Sequence, residues 1–151
     1  MLKKIMLICI MIIASIVFAR KDVMPMDVTQ FQWKNRLLFL FAPDSCHPFF
    51  ETLGAEINAQ EAEVKDRDLV VFKALEREPS RMGDTLLDKE AADAIRKRFA
   101  AAPNRFTVIL VGKDGGIKLK RNEQTDLRQI FTLIDSMPMR QNEMRQNKQR
   151  F

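Results

Sequence analysis

The sequence predicts an α/β domain built in three layers, α/β/α, around a mixed four-stranded sheet with the element order βαβαββα. Three features of the chain carry that expectation. Leu37-Leu38-Phe39-Leu40-Phe41, Leu69-Val70-Val71-Phe72 and Phe106 to Val111 are apolar without alternation, as strands covered on both faces are. Between and after them, apolar residues recur every three or four positions, the period of helices with one dry face. Finally, the Asp-Gly pair in Lys113-Asp114-Gly115-Gly116 separates the third run from an alternating one, Ile117-Lys118-Leu119-Lys120, which is the pattern of a tight hairpin ending in a half-wet edge strand. At 151 residues, 46% hydrophobic and 30% charged, the chain is long enough for one core and short for two.

Taken in order, Met1-Leu2-Lys3-Lys4 is a short positive region, Ile5 to Phe18 an apolar run, and Val17-Phe18-Ala19 a small-residue cleavage signature. These are the parts of a secretory signal cut after Ala19, which makes the mature chain periplasmic or secreted. An uncleaved anchor would need about 20 apolar residues, and this run is shorter. Residues 20–30, with Pro25, carry no period and read as a spacer; Phe31 and Trp33 are expected to cover one end of the core. The first strand ends at Ala42-Pro43, and Pro48 opens a helix whose Phe50, Leu53, Ile57 and Val64 share a face, ending near Lys65. Asp66-Arg67-Asp68 reads as a polar break before the second strand. The charged stretch from Glu76 to Asp84 reads as a loop, and Leu87, Ala91, Ile95 and Phe99 as the dry face of a second helix. After the hairpin, Thr125 is placed to cap a last helix carrying Leu127, Ile130, Phe131, Ile134 and Met137 on one side and stopped at Pro138.

The first connections favour parallel strands with right-handed crossovers and the last pair is antiparallel, which together is the thioredoxin-like arrangement. The domain is expected over residues 31–138. Residues 139–151 are polar and basic and read as a frayed helical or disordered tail, able at most to associate weakly with anionic surfaces.

Losing residues 1–19 takes Lys+Arg from 25 to 23 against 20 acids, and the net charge from +5 to +3. Much of that excess sits in the tail. No basic face with interleaved aromatics marks the body, so nucleic acid is excluded as a partner. The mature chain keeps one cysteine, Cys46, and so forms no internal disulfide; without the two-cysteine thioredoxin motif, intramolecular disulfide exchange is excluded too.

Cys46 is the candidate reactive atom. It lies in the turn Pro43-Asp44-Ser45-Cys46-His47-Pro48, between a strand end and a helix N-terminus whose free N–H groups favour negative charge. Thiolate chemistry needs such a setting and a nearby cation. His47 adjoins the sulfur, but neighbouring side chains diverge, and a histidine before proline reads more simply as a turn residue. Asp44, Cys46 and His47 offer three donors to a soft ion where a closed site takes four, so neither metal nor cofactor is expected.

Four segments carry a resemblance: Trp33-Lys34-Asn35-Arg36-Leu37-Leu38 leading into Phe41-Ala42-Pro43; Asp66-Arg67-Asp68-Leu69-Val70-Val71; Arg105-Phe106 through Val111-Gly112-Lys113-Asp114-Gly115-Gly116-Ile117-Lys118-Leu119; and Ile134-Asp135-Ser136-Met137-Pro138-Met139-Arg140. Over about residues 31–144 the chain resembles domain-of-unknown-function family 4174, bacterial relatives of a domain in extracellular-matrix and sushi-repeat proteins. The resemblance implies an exported thioredoxin-like fold close to the peroxiredoxins. Peroxiredoxins place an arginine at the start of the strand leading into the hairpin, where it supports the thiolate and the peroxide, and Arg105 is similar in position. Two readings follow: an exported one-cysteine, peroxiredoxin-like thiol protein using Cys46 and Arg105 on a small oxidant, or a non-catalytic module binding a protein or other component of the envelope.

Overall fold

The computed structural model describes residues 26–149. The expected signal peptide, its cleavage point after Ala19 and the first part of the spacer lie outside the described residues.

The elements are β1 (Arg36–Ala42), α1 (Pro48–Ala59), α2 (Glu61–Asp66), β2 (Leu69–Leu75), β3 (Ser80–Met82), β4 (Thr85–Leu87), α3 (Lys89–Arg98), β5 (Thr107–Val111), β6 (Ile117–Arg121), α4 (Leu127–Asp135) and α5 (Pro138–Lys148). The strands form one mixed sheet in the order β4-β3-β2-β1-β5-β6. Every residue of β1 is buried, because the strand has neighbours on both edges and helices on both faces. Its alternate side chains feed two cores. Leu38, Leu40 and Ala42 pack with Leu53 and Ile57 of α1 and Leu127, Ile130 and Ile134 of α4. Leu37, Phe39 and Phe41 face Ile95 of α3, Phe99 and Val28. Phe39 is the hub of the second core, with ring centroids 4.7 Å from Phe72 and 4.6 Å from Phe99. The three layers are those the hydrophobic period required.

Several details differ from expectation. The sheet has six strands rather than four, because the charged stretch after β2 folds back as the hairpin β3–β4. Strands of three residues are too short to show a period, and their pairing is made by the tertiary neighbour β2. The third long strand, β5, is antiparallel to β1, pairing Phe41 with Thr107 and Leu37 with Val111; only β2 is parallel to β1. The first long helix breaks at Gln60 (φ −126°, ψ 39°), so Val64 belongs to a separate short helix. Asp126, not Thr125, caps α4 by accepting from the Arg128 N–H, while Thr125 Oγ1 donates to the Glu123 carbonyl. Phe31 packs edge-on against Phe72 at 5.8 Å, yet Trp33 is 65% exposed and stands at φ +66°. Over Pro138–Lys148, where a frayed or disordered tail is expected, the chain forms the helix α5, which carries almost no apolar residues but buries Arg140, for reasons given below.

Candidate functional site

β1 is seven residues long and its two ends, about 20 Å apart, are different environments.

The C-terminal end holds the thiol turn. Cys46 is exposed, and among the described residues its sulfur takes part in no hydrogen bond. The turn is strapped to the segment after β2: the Ser45 N–H and hydroxyl both donate to Glu78 Oε1 (2.9 and 3.0 Å), and Arg77 Nη1 donates to Asp44 Oδ2 at 2.9 Å. Arg77 also reaches Asn104 Oδ1 at 3.2 Å, so the one cation bonded to the turn is already held between two oxygens. A carboxylate on the residue beside the sulfur is the opposite of what thiolate chemistry requires. His47 lies flat on Phe106, centroids 5.4 Å apart and planes at 18°, and its Nδ1 is buried without a partner. That ring is fixed by packing and is not hydrogen-bonded to the sulfur. Arg105, one residue before Phe106, is at this same end of the sheet, exposed, and among the described residues makes neither an ion pair nor a side-chain hydrogen bond. The two candidates therefore share an end of the sheet with no hydrogen bond joining them, and Arg105 has nothing to fix its direction.

The N-terminal end of β1 is where the sequence reading saw no site, and it is the more highly built of the two. Arg36 is 1% exposed. It donates to the Arg67 carbonyl at 2.9 Å and forks onto Glu143 of α5, Nη1 to Oε2 at 3.1 Å and Nη2 to Oε1 at 3.2 Å. Lys113, past the end of β5, donates to Glu143 Oε1 at 2.7 Å and Asp68 Oδ2 at 2.8 Å. Arg67 joins Asp135 Oδ2 (2.7 Å) and Glu63 Oε2 (2.6 Å), with its guanidinium 4.2 Å above the Phe131 ring. Arg140 bonds Asp66 and, at 3.3 Å, Asp135. These pairs explain the order of α5. With no apolar face to bury, the helix is held by charge-assisted bonds to the starts of β1 and β2 and the end of β5.

Electrostatics agree with the geometry. Burial alone would push the Glu143 carboxyl up, but the hydrogen bonds from Lys113 and Arg36 outweigh it and hold the group below the usual carboxylate range. Burial opposes the charge on Arg67 as well, and its bonds to Asp135 and Glu63 win in the same way, so its pKa is raised. At the hairpin tip, Asp114 is lowered by the Lys118 ammonium and by the Gly116 N–H.

All four segments quoted above for the resemblance contribute to this end: Arg36, Asp66 to Asp68, Lys113 and Asp135 to Arg140. The signal was present in the sequence as charged residues fixed at the borders of apolar runs, but each looked like a solvated flank.

The fold is thioredoxin-like, with a thiol in the strand-to-helix turn. Similar architectures include the reduced 2-Cys peroxiredoxin of Plasmodium vivax (TM-score 0.58, 11% identity, 78% of this chain and 85% of that one) and the mitochondrial 2-Cys peroxiredoxin of Plasmodium falciparum (TM-score 0.53, 13% identity, 74% and 80%). At such identities the likeness is one of fold. The chain belongs to the family described as Domain of unknown function (DUF4174), whose model matches residues 27–143. It is similar to coiled-coil domain-containing protein 80 of Danio rerio, 27% identical over 133 residues covering 78% of this chain and 15% of that protein. It is also similar to sushi repeat-containing protein SRPX2 of Xenopus laevis, 22% identical over 122 residues covering 79% of this chain and 27% of the relative. The chain thus spans only a minor part of the length of these relatives.

Proposed function

We propose that this protein is an exported, thioredoxin-like binding module that keeps the peroxiredoxin architecture without its peroxide chemistry. The observation that carries the reading is the contrast around β1. At the thiol end the Ser45 N–H and hydroxyl are spent on the Glu78 carboxylate, and Arg105 is unanchored. At the other end the segments of the family resemblance converge on one buried ionic network. Peroxide reduction depends on cations held in place around a thiolate; at the thiol end the held cations, Arg77 and Arg96, are matched to Asp44 and Glu76, and most of the chain's partly or fully buried cations are gathered at the opposite end. Export rests on the leader pattern of residues 1–19, and a mature N-terminus beginning at Arg20, read by mass spectrometry of the envelope fraction, is the expected result.

The exposure of Cys46 immediately before α1 favours a second reading, a one-cysteine thiol peroxidase. In that reaction the thiolate takes the distal oxygen of a hydroperoxide, the O–O bond breaks, water or an alcohol leaves after taking up a proton, and an external thiol later returns two electrons to the sulfenic acid. Peroxide consumption in the presence of a thiol reductant separates the two readings. The binding-module reading expects wild type and Cys46→Ser to be indistinguishable; turnover lost in Cys46→Ser would overturn it.

A further inference from the structure

Beside the ionic network, the β5–β6 hairpin and the start of α5 enclose a cleft of about 460 Å³, within the usual size range of small-ligand sites. Its lining includes Arg36, Lys113, Lys118, Met137, Pro138 and Met139. One side carries these cations with the carboxylate of Asp114, and the other is apolar. Met139, on the apolar side, is 39% exposed. An apolar wall beside charged side chains, in a cleft of this volume, is the make-up of a small-ligand site.

The charges in the cleft differ in how firmly they are committed. Both oxygens of Glu143 are bonded to Arg36 and Lys113, and Lys113 also holds Asp68, so those cations are already matched. Lys118 is different: its ammonium is bonded to Asp114 alone, a surface carboxylate 44% exposed. Lys118 lies close across Gly112, where a Cβ would come within 2.6 Å of its Cε and 2.7 Å of Asp114 Oδ1. Two further donors belong to residues that line the same cleft. No side chain caps α5, which leaves the N–H groups of its first turn open, and the Nε of Arg36, a residue only 1% exposed that lines the cleft, has no acceptor among the described residues.

We propose that this cleft binds a monocarboxylate joined to an apolar group, the chemistry shared by a free organic acid and the C-terminal residue of a peptide. The carboxylate takes the place of Asp114 on Lys118 and faces the open turn of α5, while the apolar group lies on Met137 and Met139. A single negative charge is what one exchangeable cation accommodates; a dianion such as phosphate would leave charge uncompensated. This inference rests on the binding-module reading and supplies its ligand class.

The test is a titration of the protein, carrying ¹³C-methyl methionine, with N-acetyl-leucine, 4-methylpentanoate, N-acetyl-leucinamide and inorganic phosphate. Saturable shifts of the Met137 and Met139 methyls are expected with the two acids, with a Kd on the order of 1 mM or below, and not with the amide or phosphate. Tighter binding of N-acetyl-leucine identifies a peptide terminus as the source, and tighter binding of 4-methylpentanoate a free acid. Asp114→Asn, which keeps an acceptor for the Gly116 N–H and frees Lys118, should tighten binding about two- to fivefold, and Lys118→Gln should weaken it by a similar factor. No saturable shift, equal binding of the amide, or indifference to both variants would overturn the proposal. None of these results depends on the thiol, so peroxide turnover by Cys46 would defeat the parent reading while leaving this titration to stand or fall separately.

Discussion

The two ends of β1 belong to one strand and are built on different principles. At the C-terminal end, Pro43 to Pro48 is a turn tied by Glu78 and Arg77, with an exposed sulfur and an exposed, unanchored arginine. At the N-terminal end, Arg36, Arg67, Lys113 and Arg140 interlock with Glu63, Asp66, Asp68, Asp135 and Glu143, drawing together parts of the chain more than a hundred residues apart. The first end carries an exposed thiol and one partly buried pair, Arg96–Glu76; the second gathers the larger network of buried charge. One strand supports both ends, and the local charge pattern decides how each is equipped.

The comparison breaks or sharpens under four measurements. The largest effect belongs to Arg36→Ala, which strips Glu143 and the Arg67 carbonyl of their shared donor: a loss of about 3–5 kcal/mol in urea unfolding is expected, as for a buried pair broken on one side. A loss under about 1 kcal/mol would mean the network is ornamental. Next comes acid. Glu143 is held below its unfolded value near 4.5, so the unfolded chain binds more protons in that window, and the stability this carboxylate contributes is complete above about pH 4.5 and lost as pH falls through its folded pKa. Glu143→Gln should flatten that limb of the stability–pH profile, and an unchanged limb would remove Glu143 from the account.

A smaller effect is expected at Trp33. Its left-handed backbone (φ +66°) is costly for a bulky residue and mild for asparagine, while its ring is 65% exposed. Trp33→Asn should therefore stabilise the fold by up to about 1 kcal/mol, and a destabilised variant would show that the ring packs on something it needs. Smallest of all, Arg105→Ala and Cys46→Ser should each change stability by less than about 0.5 kcal/mol, as surface substitutions away from built features do. A larger change in either would reveal an organised thiol end and revive the catalytic reading.

How much of this was legible beforehand depends on the range of the interaction. The long strands, the three layers, the Asp-Gly hairpin and the exposed turn around Cys46 follow from hydrophobic period and turn chemistry, which act over a few residues and are written in consecutive letters. The antiparallel course of β5 and the ordered α5 were not legible, because each is stabilised by a partner distant in sequence; the β3–β4 hairpin was not legible because strands of three residues are too short to show a period. Arg36 shows the limit most clearly: before an apolar run an arginine looks like a wet flank, and it becomes a buried anchor only when Glu143 arrives 107 residues later.

By itself, then, the sequence determined which stretches must be dry, where the chain must turn, and that a lone thiol would sit at a strand's end. Tertiary structure alone decided which charges lose their water together. A charge can be buried only where opposite charges and hydrogen bonds surround it, and in this molecule those partners come from the starts of β1 and β2, the end of β5 and the helix α5, segments that folding brings to a single end of the sheet.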